Sequence, residues 1–365
     1  MFTLKKPSFQ KTFDAQLFQE LRQKVNETVS VLESERKPEI TVKAILFPLL
    51  YITFYASALL WGSNTYVLYG CYAMLGFLLV IIFLNLIHDA VHQTLFKSKR
   101  VNNWYVHFFD IMGANSYIWK IRHIRLHHNY PNVMGWDSDI EQSDIARIFP
   151  HGSYSKMHKY QHIYLPLLYP FYLINWLLIR DFKDFFNKKK IIWKVTTIPT
   201  VEYIKLFLFK AFFLFYMIVL PVLFLKVSFA TAFTAFLVMM FTASIISLLV
   251  LLTPHASSES EFPLPDADGK MPSGWLVHQL SCTNDIKEDN WFTRFFMGCF
   301  NYHIAHHLFP AVNHVYYPEV TKIIEQFTAE NHLPYRRFSL ANSLKKHYQL
   351  LKRNAVRENI FEETM

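Results

Sequence analysis

The hydrophobic residues of this 365-residue chain are gathered into long runs with almost no charge. Because about 20 apolar residues cross the hydrocarbon core of a bilayer as a helix, four runs are long enough to span it. They are residues 42–61, 66–87, 206–225 and 229–252, and their only charged residues are Lys43 and Lys210. In lipid each backbone polar group is paired within its own segment, so these runs predict four transmembrane helices.

A fifth apolar run, residues 163–179, is shorter and less regular. It contains Pro166, Pro170 and Asn175. We interpret it as an interfacial or half-buried segment rather than as a fifth span.

The spans form two hairpins, because only residues 62–65 and 226–228 separate their members. Seven Lys and Arg residues precede the first span, whereas the two loops contain Lys226 alone. The positive-inside rule therefore places both termini in the cytoplasm. We expect an all-α polytopic membrane protein. Its parts are a cytoplasmic N-terminal segment (1–41), a membrane domain (42–252) with a cytoplasmic insertion (88–204), and a cytoplasmic C-terminal segment (253–365). The insertion and the C-terminal segment would form a helical cap.

Composition narrows the classes of function. The net charge of +9 is typical of cytoplasmic flanks that meet anionic lipid, and no nucleic-acid-binding motif accompanies it. The three cysteines show no paired spacing, which argues against a disulfide framework or a cysteine-rich zinc site. The N-terminus lacks the apolar core of a signal peptide.

Nine histidines lie beyond the ends of the apolar runs, all on the predicted cytoplasmic side. They are His88 and His92; His123, His127 and His128; His255; and His303, His306 and His307. A spacing of three or four residues places imidazoles on one helix face, and imidazole suits Fe, Zn, Cu and Ni. Nine exceed one four-coordinate site, so we predict a centre of at least two metal ions. Taken alone, His255 also fits an ordinary helix end.

The other eight histidines are predicted to be surface or interfacial residues, at positions 107, 151, 158, 162, 278, 314, 332 and 347. Among them, His278 is the best spare ligand.

The three histidine clusters resemble the boxes of the membrane fatty acid desaturase family. Asp89 in the first box resembles the HD-x-x-H form of acyl desaturases, and residues 127–140 resemble its HHxxTNxxGxDPDI stretch. Gln279, Thr283, Asn284 and residues 306–310 resemble the front-end branch, which includes linoleoyl-CoA desaturases. His303 stands where front-end enzymes usually have Gln. The HPGG motif of a fused cytochrome b5 domain does not occur in the sequence.

The resemblance implies a di-iron centre, held by the nine histidines, that uses O2 to place a double bond in an acyl-CoA or acyl-lipid. The electron donor would be a separate protein, a ferredoxin or cytochrome b5. Asp89 and Asp139 are candidate partners for ligand ring N–H groups. For Asp137 we favour simple solvation. Lys120, Arg122 and Arg125 either meet a coenzyme A phosphate or lipid headgroup, or are general inner-leaflet charges.

Two alternatives remain open at this point. A hydroxylase or ketolase acting on an alkane, sterol or carotenoid would use the same scaffold. A metal transporter, or a metal-binding membrane protein, is a more distant alternative, because transport needs polar groups at mid-membrane and these spans have almost none.

Overall fold

The computed structural model describes residues 5–10, 14–141 and 143–356. Within this part, five helical runs are long and apolar enough to cross a membrane: Asp14–Trp61, Thr65–Val91, Lys156–Phe186, Thr200–Leu225 and Phe229–Leu251. Four of them contain the predicted spans. The fifth contains the run that we interpreted as interfacial. The prediction of a mostly helical chain with membrane-like helices is therefore confirmed.

Ten α-helices lie in the described residues up to position 195. They are α1 (Asp14–Trp61), α2 (Thr65–Ile82), α3 (His88–Val91), α4 (Lys99–Tyr105), α5 (His107–Ile111), α6 (Ser116–Lys120), α7 (Gln161–Leu168), α8 (Tyr172–Asn175), α9 (Asp181–Phe186) and α10 (Ile192–Val195). Wider π-helical turns interrupt them at Phe83–Ile87, Ile121–His127 and Trp176–Arg180, and 3-10 turns lie at Lys156–Tyr160 and Tyr169–Phe171.

Residues 196–356, all of which the structure describes, contain eight α-helices and one small sheet. The helices are α11 (Thr200–Leu214), α12 (Leu220–Leu225), α13 (Phe229–Leu251), α14 (Trp275–Cys282), α15 (Trp291–Phe295), α16 (His303–Leu308), α17 (Tyr317–Glu330) and α18 (Leu340–Arg353), with a π turn at Phe215–Val219 and a 3-10 turn at His314–Tyr316. Strands β1 (Asp285–Ile286) and β2 (Arg337–Phe338) pair in parallel.

Helix α1 is much longer than the predicted first span. Its 48 residues extend ~72 Å, more than twice the thickness of a hydrocarbon core. Leu21 and Val25 in its first half are buried against the C-terminal helices, whereas Ile45 and Leu49 in its second half are exposed. Most of the predicted N-terminal segment therefore continues the helix of the first span and packs on the C-terminal part of the chain.

Helices α2 and α13 pack closely at the centre of the molecule. A Cβ added at Gly76 would lie 2.3 Å from the carbonyl oxygen of Met239, so only glycine permits this approach. Ala235 and Ala243 on α13 are fully buried. Small residues at such a crossing let two apolar helices gain contact along their backbones, as membrane helices commonly do.

A buried ion network fixes the turn that carries the second histidine cluster. Arg122 is fully buried and donates to Asp184 at 2.7 Å and to Asp181 at 3.2 Å. Lys210 of α11 donates to the other oxygen of Asp181 at 2.7 Å and also to the carbonyl oxygen of Gly113. Arg122 is thus unavailable to a headgroup, contrary to our suggestion, whereas Lys120 and Arg125 are exposed.

Candidate metal centre

The structure brings all nine predicted ligands together in one cluster, in which eight are buried and His92 is half-buried. Two groups of four can be defined, in each of which one ring nitrogen per residue lies within 4.8 Å of the others. The first group is His88, His92, His123 and His306, and the second group is His127, His255, His303 and His307. His128 is grouped with His306 and His307, one member of each set, and so lies between them.

The distances between ring nitrogens match shared metal ligation. The Nε2 atom of His88 lies 3.1 Å from that of His306 and 3.2 Å from that of His123. In the second group the Nε2 atoms of His255 and His303 are 2.9 Å apart. Because metal–imidazole bonds are about 2.0–2.1 Å long, two nitrogens on one ion are separated by about 3 Å.

A π-helical turn accounts for the orientation of the second histidine cluster. Residues five apart in an α-helix are rotated by about 140°, which would separate His123 from His128. Here the turn Ile121–His127 is wider, and the amide of His128 donates to the carbonyl of His123 at 3.0 Å. The two rings consequently approach each other, with their Nε2 atoms 3.1 Å apart. Such turns are common at functional sites.

Five of the nine rings use their Nδ1 atom to bind a partner outside the cluster. The pairs are His123 with Asp139 (3.2 Å), His127 with Asp137 (2.9 Å), His255 with the carbonyl of Cys282 (3.2 Å), His306 with Tyr317 (3.3 Å) and His307 with Gln279 (3.1 Å). When Nδ1–H donates outward, the Nε2 lone pair faces inward, which is the arrangement that metal-binding histidines require.

The chemistry of this donor set fits a metal. The Nε2 atoms of His92 and His307 are buried and have no hydrogen-bond partner among the described residues. Such atoms cost about 1–3 kcal/mol each unless something binds them. Burial lowers the pKa of both rings well below the ordinary histidine value, so they stay neutral, as a ligand must be.

Asp137 is buried within the site, so our prediction that its carboxylate is solvent-exposed was wrong. It is fully buried; Oδ1 accepts from His127 at 2.9 Å, from the amide of Asp139 at 3.0 Å and from that of Ile140 at 3.2 Å. Its Oδ2 accepts from the amide of Asn132 at 2.8 Å. Burial alone would lower the pKa of His127, but Asp137 raises it above the ordinary value.

We predicted that Asp89 binds a ligand ring N–H group, but its carboxylate makes no direct hydrogen bond to the ring of His88. One oxygen lies 3.9 Å from the Nδ1 atom of His88, longer than a hydrogen bond. The other accepts from His314 and from the side chain of Asn313, both at 2.6 Å. The Nε2 atom of His314 lies 2.9 Å from the ammonium of Lys43, which is fully buried. Asp89 thus lies between His88 of the first group and a buried hydrogen-bonded pair formed by His314 and Lys43.

Four histidines that we predicted to be surface or interfacial are buried instead: His158, His278, His314 and His347. His278 packs against the ring of Phe9 with centroids 5.0 Å apart, and it belongs to neither metal group. Burial lowers the pKa of His278 to about 4. The remaining four, His107, His151, His162 and His332, are half-buried or exposed as predicted.

A mostly apolar cavity of about 310 Å³, here called the acyl cavity, reaches both histidine groups. It touches His88 and His123 of the first group and His127, His255 and His303 of the second. Most other lining residues are apolar, among them Phe83, Ile145, Leu165, Leu168, Phe171, Trp176, Leu248 and Leu251. A cavity of this size and character suits a long apolar ligand. The aromatic lining residues belong to several distant segments, and no sequence pattern identified them.

Comparison with known proteins decides the family. The sequence model described as fatty acid desaturase matches residues 63–339. The chain belongs to the fatty acid desaturase family. An acyl-lipid (8-3)-desaturase from Physcomitrium patens is 28% identical to this desaturase over 324 residues, 88% of this chain and 67% of its own length.

Two cyanobacterial relatives are similar to the same degree. An sn-1 linoleoyl-lipid 6-desaturase from Arthrospira platensis is 29% identical over 293 residues, 79% of this chain and 78% of the relative. An enzyme of the same description from Synechocystis sp. is 28% identical over 270 residues, 74% of this chain and 75% of the relative. The predicted class, a fatty acyl desaturase and hence an oxidoreductase, is confirmed.

Proposed function

We propose that this desaturase introduces a double bond into the acyl chain of a lipid at a histidine-ligated di-iron centre, with O2 as oxidant. The observation that carries the proposal is the shared acyl cavity, because both histidine groups line it and the rest of its wall is mostly apolar. Two adjacent carbons of one chain therefore have access to both candidate metal positions.

The nine histidines would hold two iron ions, one in each group, with His128 between them. Iron would supply chemistry that side chains lack, namely the four-electron reduction of O2 to two waters. The acyl chain would provide two hydrogen atoms for this reduction, and the electron donor and solvent would provide the other two electrons and two protons. Burial keeps imidazoles such as His92 and His307 neutral. Asp137 and Asp139 orient the rings of His127 and His123 by accepting from Nδ1.

The acyl cavity has two further tasks in this proposal. Its apolar wall holds the chain straight across the two histidine groups, so that orientation is fixed before reaction. It also excludes water, which protects a reactive centre from side reactions. Trp119 supports this wall, because its ring stacks on His123 with centroids 5.0 Å apart.

The names of the relatives support a lipid substrate. The relatives act on acyl-lipids according to their names, so we propose an acyl-lipid, or the corresponding acyl-CoA, as substrate. We propose that electrons come from a separate ferredoxin or cytochrome b5. We also propose that both termini, residues 88–204 and the metal centre lie on the cytoplasmic side, with residues 163–179 in the interface.

The test is a fatty acid profile. A host that lacks this activity would express the wild type, His127→Ala, or the control His151→Ala, whose exposed ring lies outside both groups. Cells would be fed palmitate, oleate and linoleate, and double bonds would be located by mass spectrometry.

We expect a new double bond with the wild type and with His151→Ala, and none with His127→Ala. A hydroxylated or keto product would contradict desaturation and favour the hydroxylase or ketolase alternative. Normal turnover by His127→Ala would contradict the assignment of that ligand.

A further inference from the structure

A second cavity, of about 280 Å³, lies beside the acyl cavity and has the opposite character. Its cations are Arg180, Lys183, Lys189, Lys190 and Lys194. We call it the basic pocket. None of its four lysines forms a salt bridge with a carboxylate in the part of the chain that the structure describes. Unpaired cations that surround one concave space favour an anionic ligand.

Acidic residues do not cancel this charge. The pocket contains Glu141 and Asp184. The carboxylate of Asp184 is already neutralised by Arg122 at 2.7 Å, and that of Glu141 accepts from the amide of Gly135 at 3.0 Å. Arg180 pairs with Asp139 at 3.4 Å, so the four lysines face Glu141 as the one remaining carboxylate of the pocket, which leaves an excess of positive charge.

Arg180 shows that the pocket is built for a ligand rather than being a solvated surface. Only 4% of this residue is exposed, and it lines both the acyl cavity and the basic pocket. Its Nη2 atom donates to the carbonyl of Ser138 and lies 3.4 Å from Asp139, whereas its Nη1 atom has no hydrogen-bond partner among the residues that the structure describes. Within the same described part of the chain, the hydroxyl of Ser138, which also lines the pocket, likewise lacks a hydrogen-bond partner. A buried guanidinium with a free N–H pair is costly unless an acceptor binds it.

We propose that the basic pocket binds the phosphate group of the acyl substrate while the acyl chain occupies the acyl cavity. Arg180 would donate to the phosphate from the wall between the two spaces, and the lysines would surround its outer oxygens. The inference rests on the proposed function, because it assigns the polar end of that same substrate.

The position of Arg180 adds a consequence for the reaction. Asp139 lies 3.4 Å from Arg180 and 3.2 Å from the Nδ1 atom of His123, so a single carboxylate separates the pocket from a candidate metal ligand. A phosphate held there keeps the carboxyl end of the acyl chain near the histidines. The carbons presented for reaction then lie towards that end rather than towards the methyl end.

Binding of three ligands with the same oleoyl chain tests the inference. They are 1-oleoylglycerol 3-phosphate, oleoyl-CoA and the neutral 1-oleoylglycerol, each measured by displacement of a fluorescent fatty acyl probe from the full-length protein in neutral detergent. The pocket variant is Lys189→Gln/Lys190→Gln. The matched control is Lys188→Gln, because Lys188 is exposed in the same lysine run but lies 5.9 Å above the ring of Trp193, outside the pocket.

We expect the pocket variant to bind at least one phosphate-bearing ligand about 10-fold more weakly, with no change for 1-oleoylglycerol and no change in the control. A loss confined to the glycerol phosphate identifies a phospholipid as the source, and a loss confined to oleoyl-CoA identifies a thioester substrate. High salt should reduce the wild-type preference for phosphate.

Equal binding of phosphate-bearing ligands by variant and wild type would overturn the inference, as would an equal loss for the neutral ester. Because binding is read without turnover, that result leaves the proposed function untouched. A wild type that binds these ligands and makes no new double bond in the fatty acid profile would overturn the proposed function instead.

Discussion

The variant Asp137→Asn tests the link between an outer carboxylate and a candidate metal ligand. Asparagine has the same size but only one acceptor oxygen. If that oxygen keeps the bond from His127, the amide NH2 group faces the backbone N–H of Asn132, now 2.8 Å from a carboxylate oxygen. Two donors then confront each other in a fully buried place, at a cost of about 1–3 kcal/mol.

The effect on metal affinity is of similar size. Mutation of an outer partner of a metal-binding histidine costs about 10- to 100-fold in affinity, or about 1.4–2.7 kcal/mol. His127 belongs to the second group alone. We therefore expect Asp137→Asn to weaken one of the two metal positions and to leave the first group filled.

The assay is iron content after equilibration with increasing concentrations of a chelator, with Mössbauer spectra to resolve the two positions. The control is Asp144→Asn, an exposed carboxylate in the same loop. Asp137→Asn should lose about half of its iron at a chelator concentration that leaves the control intact. Retention of both ions at every concentration, or parallel loss of both, would refute the reasoning.

Three further variants test the surroundings of the site. Burial raises the pKa of Asp285 to about 7, so between pH 4 and pH 7 the folded protein keeps this proton while the unfolded chain loses it. The free energy of unfolding should therefore fall by up to about 4 kcal/mol as the pH rises from 4 to 7. Asp285→Asn should flatten this pH dependence in thermal melts. Lys210→Met leaves Asp181 without its 2.7 Å partner inside the molecule and should cost about 3–5 kcal/mol, read as a lower melting temperature; an unchanged melt would contradict it. Trp176 lines both the acyl cavity and a small neighbouring cavity. Trp176→Leu should therefore join the two cavities and raise the proportion of longer acyl chains among the products. An unchanged chain-length profile would contradict this prediction.

The sequence predicted the membrane helices and the histidine clusters for simple physical reasons. Apolar runs of bilayer length have few alternatives to helix. The helices on either side of residues 62–64 and 226–228 end and begin within one residue of the predicted limits, although α1 begins at Asp14 rather than at residue 42. Histidines at helical spacing beyond those runs indicated a shared metal site, because few other arrangements place so many imidazoles at one level. The structure brings all nine together.

The outer partners could not be predicted in the same way, because they depend on contacts between distant segments. His314 and Asp89 are 225 residues apart in sequence, and nothing local distinguishes that histidine from a surface one. From its local sequence, Asp137 is expected to be a solvent-exposed loop residue. Only its position in the stretch that follows His127 and His128 suggests a role in the site. Arg122 reads as a flanking charge, and only the folded chain shows that Asp181 and Asp184 enclose it.

The most direct test of the account is the metal content of the purified wild-type protein after anaerobic reconstitution with ferrous iron, measured per chain together with its Mössbauer spectrum. We expect two irons per chain, each in a nitrogen-rich environment supplied by the histidines. One iron per chain, or zinc that iron does not displace, would contradict it.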